Sequence, residues 1–376
     1  MRLLFTGDCT LFAPQDFIMP DNLAIKQQDY AICNLEGALP SHDGQPIQKA
    51  GPHVQQAAGA VEAVQRAGFR VAALANNHIM DYGLAPFRYT LEQLNSQGLL
   101  YMGAGQTMAE AYAPLILQKD KEKVAVFNVA ESEFGIIRDK SSLGGYAWIL
   151  HPGVYARISA LKQQGLYVII YAHAGLECQP FPLEEWQQVY RSFIDAGADV
   201  VIASHPHIIQ GYEDYQGRRI WYSLGNFFFD SPQHDVDQDI EWNRGLVLYL
   251  DTESGQQQAA VVRRTQDGLC KMPQEYTDKL LWERCSRIQE DSLAAWTDEV
   301  AEQCWQAYYR DYYLATFPMG LRDMCKNILK RIMRQPAVRR VDDTFLLHNI
   351  GIDTHRFIVQ RVLYHENLRQ NHLARV

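Results

Sequence analysis

Five apolar runs in the first 210 residues end in side chains able to bind a metal or move a proton. They are "RLLFTGD" ending at Asp8, "YAICNLE" at Glu36, "VAALANNH" at Asn77 and His78, "YVIIYAH" at His173, and "VVIASHPH" at His205 and His207. Carboxylate, amide oxygen and imidazole together make a mixed oxygen and nitrogen donor set, suited to Mn²⁺, Fe or Zn²⁺. Asp8 and Glu36 bring negative charge, and either can bridge two ions. Asn77 offers a neutral oxygen, and His173, His205 and His207 offer nitrogens. In "SHPH" the two imidazoles fall on one side of an extended backbone, and Pro206 stiffens the turn. One or two divalent ions are therefore the expected cofactor; two ions about 3.5–4 Å apart clamp a phosphoester and ionise a water for in-line attack. His78 need not ligate. Its expected role is to protonate the leaving oxygen. Asp81, three residues on, either orients the other nitrogen of His78 or caps the helix that starts near Gly83.

Such donors act together only if strand ends converge. Strand-like runs alternate with helical patterns at about 57–67, 84–97, 153–164 and 184–197, which gives an α/β layered core. In open α/β sheets ligands sit beyond the carboxyl ends of the strands, so five such ends in one sheet are expected to meet at one point. "RRIWYSLGNFFFD" (218–230), "RGLVLYLD" and "QAAVVRR" read as later strands, and the Asp- and Gln-rich segment 229–243 as a loop near the site. Asn226, in "SLGNF", reads mainly as a residue that fixes a tight turn. From residue 271 strand signals stop and helical spacing takes over. The expected organisation is one domain over 1–270 and a mostly helical C-terminal region over 271–376.

A net charge of −9 and a pI near 5.7 argue against broad nucleic-acid binding. No apolar run approaches the roughly 20 residues of a membrane helix, and "MRLLFTGD" lacks a signal-peptide core. Seven scattered cysteines without CxxC spacing suit a reduced cytoplasmic chain. In 321–340, Leu321, Met324, Cys325, Ile328, Leu329, Ile332 and Met333 share one helical face, with Lys326, Lys330, Arg331 and Arg334 around it. The expectation is a helix packed on its own domain with a solvated basic rim; the alternative is peripheral contact with the inner membrane face.

The motifs "GDCTLF", "NLEG", "ANNHIMDYG", "HAGLE", "DAGADVVIASHPHIIQGYE" and "YSLGNFFFD" together resemble the CapA family of poly-γ-glutamate capsule-synthesis proteins, in the family's order from about residue 2 to 250. The resemblance implies a calcineurin-like metallophosphoesterase fold, a four-layer α/β/β/α sandwich with metal ligands on the loops after the strands. Asp8 matches the first acidic ligand, Glu36 the bridging carboxylate, Asn77 and His78 the ligand-and-acid pair, His173 the next imidazole, and His205 and His207 the last pair. Two positions depart from the pattern: Thr10 stands where such enzymes carry a His, and Glu36 where they carry an Asp. Glu177 is a candidate replacement ligand. The function implied is a metal-dependent, phosphoesterase-like hydrolase for capsule or cell-surface polymer synthesis, acting on an anionic polymer or phosphoester. The alternatives are a non-catalytic metal-binding accessory of a polymer synthase complex and a metal-dependent γ-glutamyl amide hydrolase.

Overall fold

Apolar residues occupy both faces of the early strands, so each sheet needs a covering layer on either side. The computed structural model describes residues 1–13, 19–234, 236, 238, 240–266, 268–289, 292–310, 313 and 343–373. A first sheet contains β1 (Arg2–Thr10), β2 (Tyr30–Leu35), β3 (Val71–Ala73), β4 (Leu100–Met102), β14 (Asn226–Phe229), β15 (Arg244–Asp251), β16 (Gln257–Thr265) and β17 (Gly268–Lys271). Its order is β17-β16-β15-β1-β2-β3-β4, with β14 also paired to β1. A second sheet contains β6 (Leu115–Lys119), β7 (Glu122–Ala130), β10 (Tyr167–His173), β11 (Val200–Ser204), β12 (Ile209–Tyr215) and β13 (Arg218–Leu224), in the order β12-β13-β11-β10-β7-β6. Three short strands, β5 (Ala104–Gly105), β8 (Ile136–Ile137) and β9 (Gly145–Ala147), form a small third sheet.

The two large sheets pack face to face. Leu3, Phe5, Ile32 and Val71 of the first meet Val126, Ile169, Tyr171 and Ile202 of the second in one buried layer. Each large aliphatic side chain so buried contributes roughly 1.5–3 kcal/mol. Helices α1 (Ala60–Ala67) and α2 (Leu84–Ser96) cover the outside of the first sheet through Val61, Val64, Phe87 and Leu91. The short helix α3 (Met108–Ala111) packs beside the small sheet. Helices α4 (Pro152–Gln163) and α5 (Glu184–Asp195) cover the second sheet, packing on β10, β11 and β13. This is the four-layer α/β/β/α order that the family resemblance implied. One expectation is corrected: the chemically capable strand ends belong to two sheets, because the parallel sets β1-β2-β3-β4 and β7-β10-β11-β13 share one rim.

Two local irregularities shape that rim. Along β1, Leu3 and Phe5 face the second sheet and Leu4 the helices, yet Cys9 and Leu11 also face the helix layer. The register shifts between Phe5 and Asp8, and such a slip exchanges the two faces of a strand. Asp8 is thereby turned toward the second sheet. The second irregularity divides the run 218–230, expected as one strand. It breaks at Gly225, with φ +66, so that β13 stays in the second sheet and β14 joins the first. Gly225 O accepts the Asp8 N–H at 3.0 Å, and a Cβ on Gly7 would lie 1.7 Å from that same oxygen. No side chain fits there. Gly7→Ala is expected to destabilise the fold by about 3 kcal/mol or more, beyond the ordinary cost of overpacking. A urea or thermal midpoint equal to that of the parent would contradict this close approach.

The chain divides into two compact units, Met1–Ile47 with Pro52–Leu293, and Gln48–Gly51 with Ala294–Val376. Helix α6 (Gln274–Gln289) packs on β12 and β16 and lies in the first unit. The second unit holds most of α7 (Ser292–Cys304), a π-helical turn at Trp305–Tyr309, and helices Asp343–Gly351 and Asp353–Leu373. There the Arg361 guanidinium pairs with Asp298 at 2.5 Å. The basic amphipathic segment 321–340 lies outside the described residues. Among the described residues no helix is long and apolar enough to cross a membrane.

Candidate metal centre

Each donor is held by backbone or amide groups at the shared rim. Asp8 Oδ1 accepts from Asn34 Nδ2 at 2.8 Å, and Oδ2 accepts the His205 main-chain N–H at 3.2 Å. Glu36 follows β2, where the Gln56 amide donates to its carbonyl at 2.7 Å and the Thr10 hydroxyl at 3.2 Å. Thr10 thus supports the main chain of Glu36 rather than the donor set. The Asn77 turn is built by two buried amides. Asn128 Oδ1 accepts the N–H groups of Leu74 and Ala75 at 3.1 and 2.8 Å, and its amide donates to Tyr171 O, tying the two sheets together. Asn76 donates to Leu35 O at 2.9 Å and accepts from Gly37 N at 3.3 Å. It is a turn former.

The predicted side chains converge. His173 Nε2 lies 3.1 Å from Asn77 Oδ1 and 3.1 Å from His205 Nδ1. His173 Nδ1 is 3.5 Å from Asp8 Oδ1, and His207 Nδ1 is 3.4 Å from Asp8 Oδ2. Asp8, Glu36 and His173 each offer an atom within 4.8 Å of the others. Both carboxylate oxygens of Glu36 are buried without a hydrogen bond, and His78 Nε2 lies 3.8 Å from Oε1. A buried carboxylate in that state costs several kcal/mol unless a cation meets it. Two donors bound to one ion at about 2.1 Å sit roughly 3.0–3.4 Å apart, the spacing of His173 with Asn77 and with His205. These residues fit a divalent cation.

The electrostatics agree. Burial alone would raise Asp8, but hydrogen bonds and charge from His173 and His207 hold it well below the usual carboxylate range. Burial and the neighbouring Asp8 push Glu36 well above it. Burial lowers His173, and burial together with the neighbouring His173 and His207 drives His205 well below the usual imidazole range. Burial also opposes charge on His207, yet Glu36 and Asp8 raise it to about 10. Its ring is steered by Asn226 Oδ1 at 3.0 Å and packs on Trp242, with centroids 4.5 Å apart. His205 and His207 both adopt positive φ, +99 and +62, a strained state for non-glycine residues that recurs at functional sites.

His78 reaches the rim beside these donors, with Nε2 3.8 Å from Glu36 Oε1. Its Nδ1 is 2.7 Å from Asp81 Oδ2, which also accepts the Val54 N–H at 2.8 Å. The first turn of α2 has no side-chain cap, its N-cap position being Gly83. Asp81 therefore orients His78 and does not cap α2. Glu177, the candidate replacement ligand, is exposed on the loop after β10 rather than among the buried donors.

Residues 12–231 match the family described as bacterial capsule synthesis protein PGA_cap. The chain belongs to this family. It is similar to the capsule biosynthesis protein CapA of Bacillus anthracis, 31% identical over 214 residues that cover 55% of this chain and 52% of that one. It is also similar to the PGA biosynthesis protein CapA of Bacillus subtilis strain 168, 32% identical over 213 residues, 54% of each chain. The chain spans about half the length of these curated relatives. Among solved structures, the 5'-nucleotidase precursor of Thermus thermophilus aligns over 76% of this chain and 58% of its own, with 13% identity and a TM-score of 0.39.

In this PGA_cap chain the rim also holds residues that carry no plain signal in the sequence. Asn34 lies inside the "YAICN" run, where it reads as a strand residue, but its amide sits between Asp8 Oδ1 and His173 Nδ1, 3.1 Å from the latter. Glu131 directly follows "VAVFNVA" and is buried. Here a signal exists, an acid at a strand end like Glu36. Asn226, expected mainly as a turn former, fixes a site imidazole.

Proposed function

We propose that the chain is a metal-dependent, phosphoesterase-like hydrolase that serves capsule or cell-surface polymer synthesis. The observation that carries this reading is the donor cluster around His173 Nε2, at the spacing of ligands on one ion, with an oriented imidazole beside it that is not needed as a ligand. An ion of the Mn, Fe or Zn class would be held by Glu36, Asn77, His173 and His205 with Asp8 and His207 alongside, and would supply positive charge to polarise a phosphoester and acidify a water. The protein's own residues do the rest. Asn77 is fixed between His173 and His78, 3.3 Å from the latter's Nε2. Asp81 holds Nδ1 of His78, so that Nε2 faces Glu36 and the donor cluster, positioned to hand a proton to a leaving oxygen. The buried rim excludes bulk water and strengthens each of these interactions.

The expected substrate is a phosphoester of an anionic polymer or its precursor, within reach of a polymer synthase complex. A panel of phosphomonoesters and phosphodiesters, assayed with Mn²⁺ and with chelator, tests the proposal. Metal-dependent turnover of at least one class is expected. Silence across the panel by a protein that still binds metal would overturn it in favour of a non-catalytic accessory, and glutamate release from poly-γ-glutamate would move the chemistry to amide hydrolysis.

A further inference from the structure

We infer that Glu131 is a positioning residue for the metal centre, holding His205 so that Nδ1 and not Nε2 faces the donor cluster. The inference rests on the metal-site reading above and concerns a residue with no part in the expected ligand set. Glu131 stands at the carboxyl end of β7, beside His173 on the neighbouring strand. It grips the rim twice. Its main-chain N–H donates to His173 O at 3.0 Å, and its Oε1 accepts the Gly175 N–H at 2.9 Å. The same Oε1 lies 3.5 Å from His205 Nε2, while His205 Nδ1 lies 3.1 Å from His173 Nε2.

This arrangement dictates the tautomer. A carboxylate oxygen accepts and never donates when ionised, so the imidazole nitrogen facing it is the one favoured to carry hydrogen. His205 Nδ1 then keeps its lone pair, aimed at the space it shares with His173 Nε2 and Asn77 Oδ1. Carboxylate support of a ligating imidazole fixes ring orientation and raises basicity. The need for such support is local: His205 has φ +99, a conformation its backbone does not favour. Two contacts pin the residue from opposite ends, the main-chain N–H on Asp8 Oδ2 and the ring on Glu131. The Gly175 turn that Glu131 holds also sits against Pro206, where a Cβ on Gly175 would lie 2.8 Å from the proline ring.

The test is a double-mutant cycle on metal affinity, with Mn²⁺ as probe in titration calorimetry of the chelator-stripped full chain. Glu131→Gln keeps the shape and an acceptor for Gly175, and is expected to weaken binding by about 10–100-fold with little change in the metal-free thermal midpoint. His205→Ala is expected to weaken it at least as much. Combined, the two should be no worse than His205→Ala alone. Unchanged affinity in Glu131→Gln, or losses that multiply in the double variant, would overturn the role. A parent protein that binds no Mn²⁺ would instead remove the metal reading on which the role depends. An independent readout needs no substitution: ¹⁵N spectra of the metal-free parent should show His205 protonated on Nε2, and protonation on Nδ1 would contradict the inference.

Discussion

His173→Ala is expected to abolish metal binding, with an affinity loss larger than the about 10–100-fold typical of a residue that only supports a ligand. No other imidazole among the described residues holds so central a place. One nitrogen meets Asn77 and His205, and the other lies against Asn34, Ser204 and Asp8. Removing the ring takes a donor from the cluster and a partner from Asp8, a carboxylate kept ionised largely by His173 and His207. Any hydrolysis should disappear in step with the metal, because the two losses have one cause. Metal per chain measured by elemental analysis, alongside turnover, checks this. Retention of full metal content would show that the ion is held elsewhere.

The second large effect separates proton transfer from metal binding. His78→Ala should lower turnover by roughly 10²–10⁴-fold, the range for loss of a general acid or base, with metal content nearly unchanged. Asp81→Asn should give a smaller loss in the same direction, since the imidazole remains but loses the carboxylate that fixes it 2.7 Å away. The pattern matters more than either value: kcat should fall with little change in KM, as expected when an interaction made only in the transition state is removed. Loss of metal in His78→Ala would reassign that residue as a ligand.

How much of this is legible in the chain alone depends on what each residue's role rests on. The donors are readable because each ends an apolar run, and a polar group at a strand terminus leaves a local mark in the chain. Their convergence is readable only in outline. A single open sheet is the expectation, whereas two sheets meet at one rim, because nothing in the pattern of Leu3 to Phe5 or Ile169 to Tyr171 says that their faces pack on each other. The direction of Asp8 is hidden. It depends on a register shift within β1, and strict alternation would have turned the side chain to the helix layer. Gly225 looks like one glycine in a long strand, yet it is the point where the chain passes between sheets. Asn34 and Asn128 escape a sequence reading for a common reason. Each acts through partners far along the chain, at separations from 26 to 139 residues, and no local periodicity records such contacts.

These placements reduce to one expectation: the Glu36 carboxylate, left without a hydrogen bond in a buried rim of imidazoles, faces a cation. Elemental analysis of the full chain, purified without chelator and then dialysed against metal-free buffer, measures this directly. At least one equivalent of Mn, Fe or Zn per chain, lost when Glu36 is replaced by Ala, is the predicted result. A parent protein free of transition metal that takes up none when it is supplied would contradict the account.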